Sequence, residues 1–388
     1  MATRPFKIQI TQETLEDLQR RLANTRWAGE MHGADWAYGT NLDYLKTLAE
    51  YWQNGFDWRR QEEVLNRFAH FRTEIDGLGL HFIHQRGQGE NPLPIILTHG
   101  YPDSFWRFSK IIPMLTDPAA FGGDPADAFD VVVPSLPGYG FSDKPSKAGT
   151  LFRIADLWAT LMTQRLGYQR FGAHGGDWGS TVTEHLARSY SDLVVGIHLT
   201  DVPFAHLFEK SKDLSASERK FIADSEKWQQ KDGAYAMIQS TSPQSLAYGL
   251  NDSPVGLAAW IVEKFRSWSD CNGDLETRFT KDELLTNLMI YWATETINSS
   301  FWLYYDAANA GAMTWMGEMI KKWTGSSRVP AGFASFPRDL LPPPREWAER
   351  FFNIQRWTEM PRGGHWAAME EPELLVEDLR AFFRPLRS

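Results

Sequence analysis

Residues 174–180 read HGGDWGS, and the carboxylate in the middle of that string, Asp177, is the group in this chain best placed to react. Gly175 stands two residues before it, and Gly179 and Ser180 stand two and three after. That run of small residues fits a nucleophile elbow, a tight strand-to-helix turn that lifts one side chain to an exposed apex. The apex residue is commonly held at positive φ, which aspartate tolerates better than most. A helix starting at Trp178 would aim its N-terminal dipole and free N–H groups at Asp177, favouring the ionised carboxylate. An aspartate before a helix is also an ordinary N-cap. The chemistry open to an apical carboxylate is narrow. Attack on a carbonyl would give an anhydride and little gain, whereas attack on a saturated carbon gives an ordinary ester. Water activated by a histidine could cleave that ester, so the position selects a substrate with a displaceable group on sp³ carbon.

Two downstream residues could complete such a cycle. His365 lies in RGGHW (362–366), a glycine-rich turn after the last apolar strand and before the amphipathic EEPELLVEDLRAFF. Asp339, in FPRDL (336–340), follows another strand end. Nucleophile, acid and histidine then occur in the chain order of the α/β-hydrolases. With ten histidines in the chain, His365 stands out by its place on a loop after a strand, not by its type. Asp339 alone would read as a turn residue. Upstream, HGYPDS (99–104) follows the strand-like PIILTHG. In a loop built on His99, Gly100 and Pro102, the backbone N–H of Tyr101 could pair with that of Trp178 and face developing negative charge. The same string is also an ordinary Gly-Pro turn.

The elements needed to hold these loops are legible from periodicity. Residues 1–75 read as a helical segment, with Thr11 as a cap and Leu15, Leu18 and Leu22 on one face; Leu42, Leu45, Leu48 and Trp52 repeat the pattern. FRTEI and LHFIHQR flank Asp76-Gly77, a hairpin signal. Over 76–203, strands at 94–100, 129–135, 170–176 and 193–199 alternate with helices near 105–115, 153–166 and from Trp178 to about Tyr190. That rhythm predicts a mostly parallel sheet with helices on both faces, an α/β fold. From 204 to 325 the alternation stops and helices dominate, including 258–268 and 283–297, as expected of a lid over the strands' carboxyl edge. The α/β rhythm returns over 326–388, with a strand at 329–336, a helix near 344–351 and a last strand before His365.

Composition narrows the function. The 388 residues are 43% hydrophobic and can bury one large core plus an inserted lid; the 17 Trp suggest an apolar cavity as well. A net charge of −9 without a basic stripe argues against a nucleic-acid partner. The single Cys271 excludes an internal disulfide framework and fits a reducing compartment, pointing to the cytoplasm. No run of about 18 apolar residues and no signal pattern occurs, so a soluble protein with no membrane partner is expected. Neither HExxH nor a cysteine-rich ligand pattern is present, and the chemistry requires no metal and no cofactor.

HGYP, GGDWGS, FPRD and RGGHW, in this order and with a helical block between the second and third, resemble the epoxide hydrolases of the α/β-hydrolase superfamily, closest to the microsomal-type branch and its soluble fungal and bacterial relatives. The opening RPFKIQI…LQRRLANTRW and the lid string GLNDSPVGLAAWIVEKFRSW extend the resemblance over nearly the whole chain. It implies Asp177 as nucleophile, His365 as base and Asp339 as its acid partner. It also implies two lid tyrosines that protonate the epoxide oxygen, which fall on Tyr235 and on Tyr304 or the adjacent Tyr305. The implied reaction takes a small apolar or aryl epoxide and water to a vicinal diol, and a homodimer through lid surfaces is compatible with it. The membrane anchor of some family members is not carried over. A haloalkane or haloacid dehalogenase would share the elbow. Halide, however, leaves as a stable anion, whereas an epoxide oxygen leaves as a basic alkoxide and needs a proton that neutral tyrosine can supply. Tyr101, where haloalkane dehalogenases typically have Asn, also favours the epoxide. A ligand-binding member without turnover is the remaining alternative.

Overall fold

A nine-stranded sheet organises the chain, in the order β1-β2-β3-β5-β4-β6-β7-β8-β9. The computed structural model describes residues 3–208, 213–309 and 326–387; the lid readings over 209–212 and 310–325 lie outside the described residues. The strands are β1 (Arg4–Pro5), β2 (His70–Ile75), β3 (Leu78–Gln85), β4 (Leu93–Thr98), β5 (Phe129–Pro134), β6 (Phe171–Gly175), β7 (Val194–Leu199), β8 (Pro330–Ser335) and β9 (Asn353–Glu359). The six from β4 to β9 run parallel, and β1 to β3 form an antiparallel margin. β5 and β7 are buried at every position, as strands covered on both faces must be.

The β2–β3 hairpin turns at Asp76 and Gly77, both at positive φ (52° and 77°), the pair of left-handed residues that a two-residue turn needs. The N-terminal segment is not wholly helical: Arg4–Pro5 adds an edge strand to β2, where a proline without an N–H is tolerated. Its helices, Gln12–Ala23, Leu42–Asn54 and Trp58–Leu65, bury Leu18, Leu22, Leu45, Leu48 and Trp52, and Thr11 caps the first by accepting the Thr14 N–H at 3.2 Å. The expected helix near 105–115 is two short pieces, Phe105–Phe108 and Ile111–Thr116, because Ser104 caps the first turn locally. The helix read through 283–297 stops at Thr294. Glu295 takes a left-handed conformation (φ 53°) and a new helix, Ile297–Ala308, departs on its own axis. That break sets the direction of Tyr304.

Chain order places the reactive edge. β4 pairs with β5 on one side and with β6 on the other, so the loops after β4 and β6 leave the sheet side by side where the order reverses. Open α/β sheets bind ligands at that switch point. Pro254–Ser267, Lys281–Thr294 and Ile297–Ala308 lie among the helices between β7 and β8. Among the described residues, no helix is long and apolar enough to cross a membrane.

Candidate active site

Asp177 stands two residues past the end of β6 and holds φ 57°, ψ −130°, a strained conformation kept in place by its surroundings. Gly175 closes β6. A Cβ on Gly179 would strike the Thr98 carbonyl, and one on Gly100 would strike the Asp177 carboxylate, so both loops need glycine for this approach. Ser180 locks the turn by returning its hydroxyl to the Asp177 carbonyl at 2.7 Å. Asp177 is also the N-cap of helix Trp178–Ser189. Its Oδ1 accepts two backbone N–H groups, from Trp178 at 2.7 Å and from Tyr101 at 2.9 Å. The cap and the proposed oxyanion donors are thus the same bonds.

The other carboxylate oxygen, Oδ2, faces His365 Nε2 at 3.6 Å, and that nitrogen has no hydrogen-bond partner. His365 Nδ1 lies 2.7 Å from Asp339 Oδ1, which fixes the ring. Burial opposes a charged imidazole here, but the Asp339 and Asp177 carboxylates outweigh it and raise His365 to about 10. In the resting site His365 is therefore an imidazolium between two carboxylates. Its backbone is fixed as firmly. The His365 N–H goes to the Trp268 carbonyl at 2.8 Å, its own carbonyl accepts from Arg107, and Glu370 accepts the flanking N–H groups of Gly364 (3.2 Å) and Trp366 (2.9 Å).

The lid brings Tyr235 and Tyr304 over Asp177. Both are buried, their rings are 5.9 Å apart, and Tyr304 meets the Trp178 ring edge-on at 4.9 Å. Tyr305 points away and is 39% exposed, which separates the two adjacent candidates. Burial, reinforced for both by the Asp177 charge, holds the two phenols well above their ordinary range, so they stay protonated. His99 supports the neighbouring loop: its Nε2 accepts the Leu136 N–H at 3.1 Å. The Tyr101-Pro102 peptide is cis, and the Pro102 carbonyl accepts from Asn287 at 2.9 Å.

Three supporting groups escaped the sequence reading. Asp103 accepts the Gly100 N–H at 2.9 Å and pairs with Arg107 at 2.7 Å. Asp201, two residues beyond β7, accepts the Asp177 N–H at 2.6 Å. Burial and the nearby Asp339 charge raise Asp201 to about 7. Glu370 is likewise pushed up to about 7 by burial. Asp201 ends the string LVVGIHLTD, and an acid just past an apolar strand was a usable signal for it. Asp201, Asp339 and His365 bring metal-ligand atoms within 4.8 Å of one another, the one such grouping among the described residues. Of their atoms, His365 Nδ1 and Asp339 Oδ1 hold one another and Asp201 Oδ2 holds the Asp177 N–H.

Comparison with known proteins fits this geometry. The family model for the epoxide hydrolase N terminus matches residues 3–108, and that for the alpha/beta hydrolase fold matches 94–255. Epoxide hydrolase 1 of Sus scrofa is 39% identical over 98% of this chain and 88% of its own length. This chain belongs to the epoxide hydrolase family. A provisionally named epoxide hydrolase of Stigmatella aurantiaca shares 46% identity over 99% of this chain and 85% of its own length. The solved Aspergillus niger epoxide hydrolase superposes with a TM-score of 0.85 at 32% identity, covering all of this chain and 97% of that one. The enzyme thus has the α/β-hydrolase fold and is an epoxide hydrolase by fold, length and sequence together.

Proposed function

We propose that this epoxide hydrolase works through an ester on Asp177. The observation that carries the reading is the division of labour between the two Asp177 oxygens. Oδ1 is held by the Tyr101 and Trp178 N–H groups, and Oδ2 is free to attack. Oδ2 displaces the epoxide oxygen from one ring carbon, forming the ester bond as the C–O ring bond breaks. The electron pair leaves on that oxygen, which takes a proton from Tyr235 or Tyr304. Esterification removes the Asp177 charge, and with it part of what kept His365 protonated. His365, still oriented by Asp339, can then give up its proton, which restores the tyrosine hydroxyl, and take another from water. The water adds to the Asp177 carbonyl carbon, and the negative charge develops on Oδ1, inside the pair of N–H donors. Collapse releases the vicinal diol: its departing oxygen, which has come from Asp177, takes the proton that His365 drew from water, and the re-formed Asp177 carboxyl group returns one to His365.

The substrate is a small apolar or aryl epoxide, a reading supported by the ring cluster of Tyr101, Tyr235, Trp178 and Tyr304 around the nucleophile. Residues 204–325 serve as its cover. Buried, unpaired Cys271 fits a cytoplasmic location. Exposed Met237, Ile238 and Tyr248 on the lid support pairing with a second copy there, which sedimentation would check. The mechanism is tested by treating His365→Gln with styrene oxide. Intact-mass and peptide analysis should find the hydroxyalkyl group on Asp177. An active wild type whose His365→Gln form never carries that adduct would rule the ester out.

A further inference from the structure

One buried polar side chain near the reacting atoms has no part in this cycle. Gln239 lies one turn beyond Tyr235 on the helix Ala234–Thr241 and is fully excluded from solvent. Neither its amide oxygen nor its amide nitrogen has a hydrogen-bond partner. Buried amides are almost always paired, because water's hydrogen bonds are lost on burial and nothing apolar replaces them. An amide with no partner within hydrogen-bond distance, on the helix that carries Tyr235, has hydrogen-bonding capacity left for a ligand.

Its surroundings give the ligand a chemistry. Tyr101 spans the site: its backbone N–H is on Asp177, and its ring runs up into the lid, stacked on Tyr235 at 6.2 Å with 8° between the planes. At the far end, Tyr101 Oη accepts the Trp260 indole N–H at 2.5 Å, which leaves its own O–H proton to give. The Gln239 amide faces that same hydroxyl. The amide, which has two N–H groups and of which one at most is directed at the phenol oxygen, and the phenol O–H therefore lie together in an aromatic wall, one tyrosine length from the nucleophile.

We propose that Gln239 and the Tyr101 hydroxyl form a specificity subsite that receives an oxygen acceptor, an ether or carbonyl oxygen, on the substituent of the epoxide. The inference rests on the reading of Asp177 as nucleophile under Tyr235 and Tyr304. It narrows the substrate class from apolar epoxides to epoxides whose chain carries one acceptor at a fixed distance from the ring. An all-carbon chain still reacts, but leaves the amide unpaired.

The test is a series of straight-chain 1,2-epoxides in which one methylene, at successive positions, is replaced by an ether oxygen. For the wild type, kcat/KM should peak at one position, roughly tenfold above the hydrocarbon isostere, the size of one neutral hydrogen bond. Gln239→Leu should flatten the peak while hydrolysing the hydrocarbon at the wild-type rate. Gln239→Glu, which offers acceptors where the amide offered donors, should move the preference to the hydroxyl-bearing isostere. A flat wild-type profile with normal turnover removes the subsite and leaves the catalytic reading standing, whatever the variants do. A peak that survives in Gln239→Leu also removes it. Absence of turnover across the whole series removes both readings.

Discussion

The strand edge and the lid solve the problem of placing a reactive group in opposite ways. At the edge, Asp177, Asp339 and His365 stand two to six residues past the ends of β6, β8 and β9 and are held by backbone bonds. Asp177 alone engages the N–H groups of Tyr101 and Trp178 through its side chain and Asp201 through its own N–H. In the lid, Tyr235 and Tyr304 are held by ring packing against Tyr101 and Trp178, and their hydroxyls stay neutral. Charge is placed by the rigid sheet, where a misdirected carboxylate would cost most. Neutral acids are placed by apolar contact, which tolerates some movement as substrate enters and leaves.

Removing the proposed nucleophile at the edge tests this contrast most severely. Asp177→Ala should lose on the order of 10⁴-fold or more in kcat/KM and carry no adduct even when His365 is also replaced. A folded Asp177→Ala enzyme with substantial epoxide turnover would shift the chemistry from the edge to the lid. Next come the two proposed acids of the lid. Tyr235→Phe with Tyr304→Phe should slow ring opening by about 10²–10⁴, as expected for lost general acids, while thermal unfolding stays near wild type. An intact single-turnover alkylation rate in that double variant would show that packing, not proton supply, is the lid's contribution.

The imidazolium at the edge predicts a pH signature that the neutral lid lacks. The folded His365 value, about 10, lies above the ordinary 6.5. Its contribution to stability is therefore fully present below about pH 6.5 and is lost as the pH rises through about 10. The stability difference between wild type and His365→Gln should shrink over that interval, as read by urea unfolding at several pH values. A difference constant from pH 7 to 10 would mean that the resting histidine is neutral. The smallest effect is expected at Asp201, which meets Asp177 through its backbone N–H. Asp201→Ala should lower kcat by roughly tenfold with little change in KM, and Asp201→Asn, which keeps an acceptor, should lower it less. A larger loss in Asn than in Ala would contradict a role as acceptor for the Asp177 N–H.

Much of this arrangement was legible before any coordinates, and for definable reasons. The elbow, the HGYP loop, Asp339 and His365 are short local strings, and small residues around one acid at a strand end have few other uses. The alternation from β4 to β7 is a local period, and the sheet followed it. What failed was also local in cause. The reading through 283–297 missed the left-handed Glu295, since a glutamate gives no sign that it will end a helix. The Arg4–Pro5 strand was missed because two residues carry no period.

By itself the sequence determined the covalent possibilities: an aspartate where an ester can form, a histidine and an acid in the right order, and tyrosines in a helical block. Those depend on residue type and on neighbours a few positions away. Only the tertiary structure decided which oxygen of Asp177 is free, which of Tyr304 and Tyr305 faces it, and that Asp201, Arg107 and Glu370 brace the site. It also decided that Gln239 is left unpaired beside Tyr101. Each of those facts is a meeting of chain segments far apart in sequence, such as Tyr101 and Asp177, 76 positions apart. Hydrogen bonds depend on distance and angle in space, and local pattern carries neither.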